Sequence, residues 1–379
     1  MKIRTVSRTI VALSILLFCV AVASYEFYEF KDRADSKNFD ILSLVPDSCL
    51  VLLESDNFSY FITEYTELPY RKDLSQIRSA ALFSEIIDGF ASAGDDRYIH
   101  GLSNMVDKFV VASYENGGEI DDVLFFQVGP GGESYIHNVI VNRMTGGLEP
   151  SAISYRGEEI LVYPLSGGRF MAVYSNRHFM AMSFRVACLE SVVDILRDSC
   201  GAVNFRSRIS VAGTYNYFTI YSSRPMAPFM HAGVNFSSEY ELHFKPGAMY
   251  IVGETIATCG DECEDALMRS LSAVPNIYET SLVMSSSRDS IRSYVADRSA
   301  GSGGSMLETC VSTLSPDADY IFVVDMQKVV AEPSSFDKFI PPFLINNAGA
   351  LRNFVASVQL TIVGERVRQI IVLNYKKLL

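Results

Sequence analysis

Short alternating apolar segments, paired around glycine, proline or asparagine turns, constrain this chain more than any other feature. Residues 109–114 and 123–128 flank Glu115-Asn116-Gly117-Gly118, and residues 240–244 and 249–253 flank Lys245-Pro246-Gly247. Residues 356–363 and 367–373 do the same around Gly364-Glu365. A period of two sends alternate side chains to opposite faces, and turns this short join antiparallel neighbours. Residues 159–163, 170–174 and 179–183 read as a meander, with Ser175-Asn176-Arg177-His178 turning the last pair. Helical periodicity fits 74–90, 187–198 and 265–271. Hairpins with interspersed helices predict an α+β protein of mostly antiparallel sheets, not a doubly wound α/β one.

A repeat adds organisation. Leu44-Val45-Pro46-Asp47-Ser48-Cys49-Leu50-Val51-Leu52-Leu53 aligns with Leu314-Ser315-Pro316-Asp317-Ala318-Asp319-Tyr320-Ile321-Phe322-Val323. In both, Pro-Asp turns the chain into an apolar strand that leads towards a helix. A weaker third copy starts at Gly213, where Tyr217-Phe218-Thr219-Ile220-Tyr221 precedes residues 226–230. A recurring strand–helix unit predicts two related halves, 38–205 and 206–379. The competing explanation is that Pro-Asp before a strand is ordinary turn chemistry. Ser299-Ala300-Gly301-Ser302-Gly303-Gly304-Ser305 reads as a flexible loop or a second boundary.

Residues 1–37 form a leader with a short linker. Lys2, Arg4 and Arg8 precede an apolar run over 10–23 that only Ser14 interrupts, and Tyr25, Phe27 and Tyr28 follow. A basic flank before an apolar segment is read by the export machinery, so the rest of the chain is expected outside the cytoplasm. The run is shorter than the roughly 20 residues that span a bilayer, but counting from Thr9 to Tyr25 approaches that limit. Ala21-Val22-Ala23 offers a cleavage site after Ala23, the alternative to the favoured uncleaved anchor. A lipoprotein signal fits less well, because Cys19 follows the bulky Phe18.

The formal charge of −12 and the lack of a Lys/Arg-rich run argue against nucleic acid as a partner. Beyond the leader lie Cys49, Cys188, Cys200, Cys259, Cys263 and Cys310. One helix over 187–198 would hold Cys188 and Cys200 about 18 Å apart along its axis, too far for a bridge. Cys259-Gly260-Asp261-Glu262-Cys263 is the local candidate for a disulfide. The other reading leaves most of these residues as buried free thiols.

Val111-Ala112-Ser113-Tyr114, its turn, and Val123-Leu124-Phe125-Phe126 resemble a block of a family of exported bacterial proteins of unknown function, common in Bacteroides-type bacteria. Ile153-Ser154-Tyr155-Arg156-Gly157-Glu158-Glu159-Ile160, Phe170-Met171-Ala172-Val173 and Phe179-Met180-Ala181-Met182-Ser183 are similar too, as are the openings at Pro46 and Pro316. The resemblance implies an N-terminally anchored envelope protein: single-pass in the bacterial inner membrane, with its C-terminal part in the periplasm. No catalytic set comes with it.

Nor do the residues spell a reaction. No G-x-S-x-G, H-E-x-x-H or P-loop lysine is present, and His100, His137, His178, His231 and His243 lack metal-ligand spacing. The thiols at 259 and 263 sit among Asp261, Glu262, Glu264 and Asp265, which suit a helix start and oppose thiolate formation. Gly129-Pro130-Gly131-Gly132-Glu133-Ser134 could cradle an anion, but it carries an acid where a base is needed, so a plain loop is expected. The apolar, proline-stiffened stretch over 336–344 is expected to pack over its own sheet, the alternative being an exposed partner or lipid contact. No catalytic, cofactor-binding or metal residue is assigned. The expected function is a membrane-tethered binding or scaffold module with an envelope protein as partner. Its rivals are a carrier of lipid or another hydrophobic ligand, which needs an apolar cavity, and a hydrolase with a dispersed site.

Overall fold

The computed structural model describes residues 39–379 apart from 47, 78–80, 92–100, 102–104, 117–118, 199–217, 224–226, 230–235, 258–260, 280, 300–309, 311–313, 365 and 379. It also describes Ser24, Tyr28, Lys31, Ala34, Asp35 and Asn38, all helical. No helix among the described residues is long and apolar enough to cross a membrane, and the leader's apolar run lies outside them.

Antiparallel pairing organises everything else. The strands, in chain order, are β1 (Cys49–Ser55), β2 (Val106–Asn116), β3 (Glu119–Val128), β4 (Ser151–Tyr155), β5 (Glu158–Pro164), β6 (Phe170–Ser175), β7 (Phe179–Ser183) and β8 (Thr219–Ser222). There follow β9 (Phe236–Lys245), β10 (Ala248–Ala257), β11 (Ile277–Tyr278), β12 (Leu282–Ser285), β13 (Tyr320–Asp325), β14 (Phe354–Val363) and β15 (Arg366–Tyr375). They form one open sheet in the order β11-β12-β13-β14-β15-β10-β9-β8-β1-β2-β3-β7-β6-β5-β4. The α+β class and its hairpins therefore stand as read from the pattern. Strands of 38–205 fill one end of the sheet and strands of 206–379 the other, joined where β1 pairs with β8.

Within that order one connectivity recurs. A lone strand (β1, β8 or β13) pairs with the first strand of a later hairpin: β2–β3, β9–β10 or β14–β15. These lone strands contain the three apolar openings noted in the sequence, and the recurrence is one of connectivity.

The helices are α1 (Phe58–Glu67), α2 (Arg71–Leu74), α3 (Ala81–Ala91), α4 (Gly132–Val139), α5 (Val186–Asp198), α6 (Asp261–Ser272), α7 (Arg288–Ser299), α8 (Met326–Ala331) and α9 (Pro342–Asn346). The single helix expected over 74–90 is instead two: α2 stops at Leu74, Ser75 to Ile77 form a turn, and α3 begins at Ala81. Tyr70 anchors the chain just ahead of α2. It is fully buried, and its hydroxyl donates to the carbonyls of Lys245 (2.7 Å) and Ala248 (3.0 Å), tying this stretch to the β9–β10 turn.

Strand alternation assigns the two faces. Phe109 and Val111 of β2 join the larger core with α1, α3 and α4, whereas Val110 and Ala112 join a second core under Leu189, Val192 and Val193 of α5. At the other end of that second face, Ile321 and Val323 of β13 pack beneath Ile291 and Val295 of α7. The larger core is dense in rings: Phe61 lies 4.2 Å from Phe218 and 5.3 Å from Phe109, centroid to centroid. Close approach also fixes Gly253, where a Cβ would sit 2.1 Å from the Glu239 carbonyl oxygen and 2.6 Å from Tyr240 Cα. No other residue fits beneath that ring without moving backbone.

Candidate functional site

Among the described residues, those that sequence chemistry singles out do not converge. His100 and His231 lie outside the described residues. His137 meets the buried Tyr163 hydroxyl, His178 stacks on Phe39 at 5.6 Å, and His243 stands 3.2 Å from Glu241 on the same strand. These three occupy α4, the β6–β7 turn and β9. Cys259 and Cys200 also lie outside the described residues, and of Cys263 the structure describes only its place in the first turn of α6. Cys49 and Cys188 are free thiols, and Cys310 accepts a hydrogen bond from the Asn374 amide at 3.3 Å. Burial pushes the Cys49 thiol up to about 12 and Cys310 to about 11, and raises Cys188, so all three are held as neutral thiols.

The glycine loop at 129–134 leads into α4, and Glu133 accepts a 2.5 Å hydrogen bond from Ser175. That contact occupies the first turn with an acid and leaves the plain-loop reading in place. Within 336–344, Phe336, Ile340 and Leu344 are buried in the larger core, as expected of a segment packed over its own sheet. A lipid carrier needs several hundred cubic ångströms of enclosed apolar space. The aromatic crevice among Phe61, Phe218, Leu242 and Phe244 measures about 40 Å³, and the sheet is open rather than closed.

Two features emerge only in three dimensions. The first lies on the second face, between α5 and α7, where Tyr250, Val252 and Ile370 are exposed. Glu239 of β9 sits directly opposite Glu254 of β10, and Glu241 and Glu54 lie one step along the same face. Glu254 takes an ion pair from Arg366 at 2.7 Å and Glu54 one from Lys108 at 3.3 Å. Glu239 Oε2 is buried and accepts no hydrogen bond from the described residues. Burial first, then the charges of Glu241, Glu254 and Glu54, raise its carboxyl to about 7. Among the described residues no group of His, Cys, Asp and Glu has the geometry to hold a metal ion. The carboxylates come from β1, β9 and β10, so no local motif brings them together. Their one sequence signal is the polar alternation Ser237, Glu239, Glu241, His243 within β9.

The second feature is the edge strand β4. Ser151, Ala152, Ile153 and Ser154 are all exposed, and the strand carries no charge and no proline. Beside it opens a crevice of about 460 Å³ lined by Ser151, Val162, Pro164, Leu165, Arg169 and Phe170, among others. Phe170 is 42% exposed, Ile153 39% and Leu148 59%, so the edge has an apolar shoulder. Natural sheets usually blunt such an edge with lysine, proline or a bulge. An edge left open with apolar ground beside it is suited to accept an added strand. Sequence reasoning passed over β4, because Ser-Ala-Ile-Ser-Tyr is too short and too weakly alternating to stand out.

No family model matches the chain, and no curated protein matches it at a significant level. Solved structures of TP0453 align with it. Crystal form III does so at 14% identity and a TM-score of 0.33, over 64% of this chain and 91% of that one. Crystal form I gives 12%, 0.35, 64% and 89%. Likeness at that level carries no argument about function.

Proposed function

We propose that this protein is a non-catalytic binding module of the bacterial cell envelope, tethered by its N-terminal segment, that presents β4 to an extended segment of a partner protein. The observation that carries the binding mode is the open edge: an uncharged strand, exposed over Ser151 to Ser154, whose apolar shoulder adjoins the crevice at Phe170. Main-chain groups of the edge would supply affinity, and the shoulder would select alternate side chains of the added strand. The tether and the envelope location rest on the basic, apolar leader and on the family resemblance of the sequence. A scaffold role follows from that combination, since a tethered module with a strand-accepting edge gathers other chains at the membrane surface.

The test is photo-crosslinking in the native envelope, with a photoreactive residue at Ala152, at Phe170, or at the exposed Met268 of α6 as reference. Capture of the same protein from positions 152 and 170, and not from 268, supports the proposal. Capture from 268 alone refutes it.

A further inference from the structure

Five lysines mark one edge of the sheet. Lys108 lies at the start of β2, Lys245 closes β9, Lys328 lies in α8 after β13, and Lys376 and Lys377 follow β15. Register puts these strand ends together: Phe109 pairs with Ser55, Glu54 with Thr219, and Thr219 with Glu241. Beyond β9, Ala248 pairs with Lys245 and Asn374, and Tyr375 with Phe354. The chain arriving from the leader enters at the same edge. The Phe39 carbonyl accepts from the Gln127 amide at 3.1 Å, near the end of β3, and its ring stacks on His178 in the β6–β7 turn. In sheet order β9 stands four strands from β3, about 19 Å away at 4.8 Å per strand.

Four cations at this edge are gathered around Tyr70. Its hydroxyl donates to the Lys245 carbonyl, and its ring lies 5.4 Å from Tyr375 and 5.3 Å from Phe354. The Asn353 amide donates to Asp73 at 3.0 Å, and the Lys376 N–H donates to the Asn353 carbonyl at 2.9 Å. That network brings together the backbones of Lys72, Lys245, Arg352 and Lys377, all of them exposed. Nearby acids are engaged otherwise: Asp73 by Asn353, Asp325 by Lys376 at 2.8 Å, and Glu64 by the Tyr60 hydroxyl. Among the described residues no acid forms an ion pair with any of the four. The opposite edge is built the other way. There Arg185 is paired with Asp121, Arg288 with Asp319, Arg292 with Asp317 and Arg366 with Glu254.

We propose that Lys72, Lys245, Arg352 and Lys377 dock the tethered chain onto the headgroups of anionic phospholipids in its own membrane. The inference rests on the reading of the N-terminal segment as a tether. A chain of net charge −12 is repelled by an anionic surface everywhere except where cations stand unmatched, and here they stand at the edge that the leader joins. Each such cation favours the docked state about fivefold. The tether keeps the bilayer within reach, so docking is an intramolecular step. Tyr250, 36% exposed on β10 near the Lys245 turn, supplies an aromatic side chain of the kind that settles at headgroup level.

The test is amine footprinting of the full-length chain, reconstituted at low salt into vesicles of phosphatidylcholine alone or mixed with phosphatidylglycerol. A membrane-impermeant reagent labels the lysines, and mass spectrometry reads each site. A Val363→Lys chain supplies a reference amine at the opposite edge, where Val363 is 52% exposed. Lys72, Lys245 and Lys377 are expected to be protected when phosphatidylglycerol is present, the reference amine is not, and high salt is expected to remove the protection. Lys245→Gln should lower the protection of Lys72 and Lys377 about fivefold. Equal labelling in the two lipids, or equal protection of the reference amine, overturns the proposal and leaves the tether standing. Protection in the native envelope that phosphatidylglycerol vesicles do not reproduce overturns lipid as the occupant. A chain that neither vesicle retains overturns the tether, and with it docking as an intramolecular step.

Discussion

Glutamate 239 makes stability depend on pH in a calculable way. Its carboxyl, ordinarily at 4.5, is raised to about 7 by burial and by Glu241, Glu254 and Glu54. At 1.36 kcal/mol per pH unit the displacement is worth at most about 3.4 kcal/mol. Because Glu239 is only half-buried, solvent screening reduces this to about 1–2 kcal/mol. Between pH 4.5 and about 7 the folded chain holds a proton here that the unfolded chain has released. Stability from this site is therefore complete below pH 4.5 and lost as pH rises through about 7. Glu239→Gln keeps the shape and removes the charge. By urea titration it should exceed wild type by about 1–2 kcal/mol at pH 8 and match it near pH 4.5. Comparing the two chains cancels titrations they share. A difference that is the same at both pH values, or a variant less stable at pH 8, would refute the reasoning.

Two further outcomes follow from packing. Gly253→Ala must push β9 away from β10, since its Cβ would meet the Glu239 carbonyl and Tyr240 Cα. The change also disturbs Tyr240, whose hydroxyl contacts Thr255 Oγ1 at 2.9 Å and donates to Gln369 Oε1 at 2.8 Å. A loss of about 2–3 kcal/mol is expected in urea unfolding, and a loss under about 0.5 kcal/mol would show that the strands tolerate the clash. Alkylation at pH 8 followed by mass spectrometry should label Cys188 well before Cys49 and Cys310, which are each 2% exposed and protonated. Equal rates for the three in the folded chain would contradict their burial.

The hairpins were legible because a period of two and a short turn are local properties. The polypeptide between residues 106 and 128 carries all the information that pairs Phe109 with Phe126. The order of strands across the sheet was not. β10 finds β15 across more than a hundred residues, and β1 finds β8, through burial of faces contributed by distant segments. Helix α5 was legible over nearly its full length, from Val186 to Asp198, whereas the helix expected over 74–90 is interrupted after Leu74, and α3 begins at Ala81.

The candidate sites divide the same way. By itself the sequence determined the α+β class, the antiparallel hairpins and the charge. Each of these depends on composition or on neighbours a few residues apart. The tertiary structure alone decided that Glu239 faces Glu254, because the β9–β10 register sets which glutamates share a face. It alone decided that β4 is an edge. Whether a strand has one neighbour or two is a property of the whole sheet, and no residue within Ser151–Tyr155 records it.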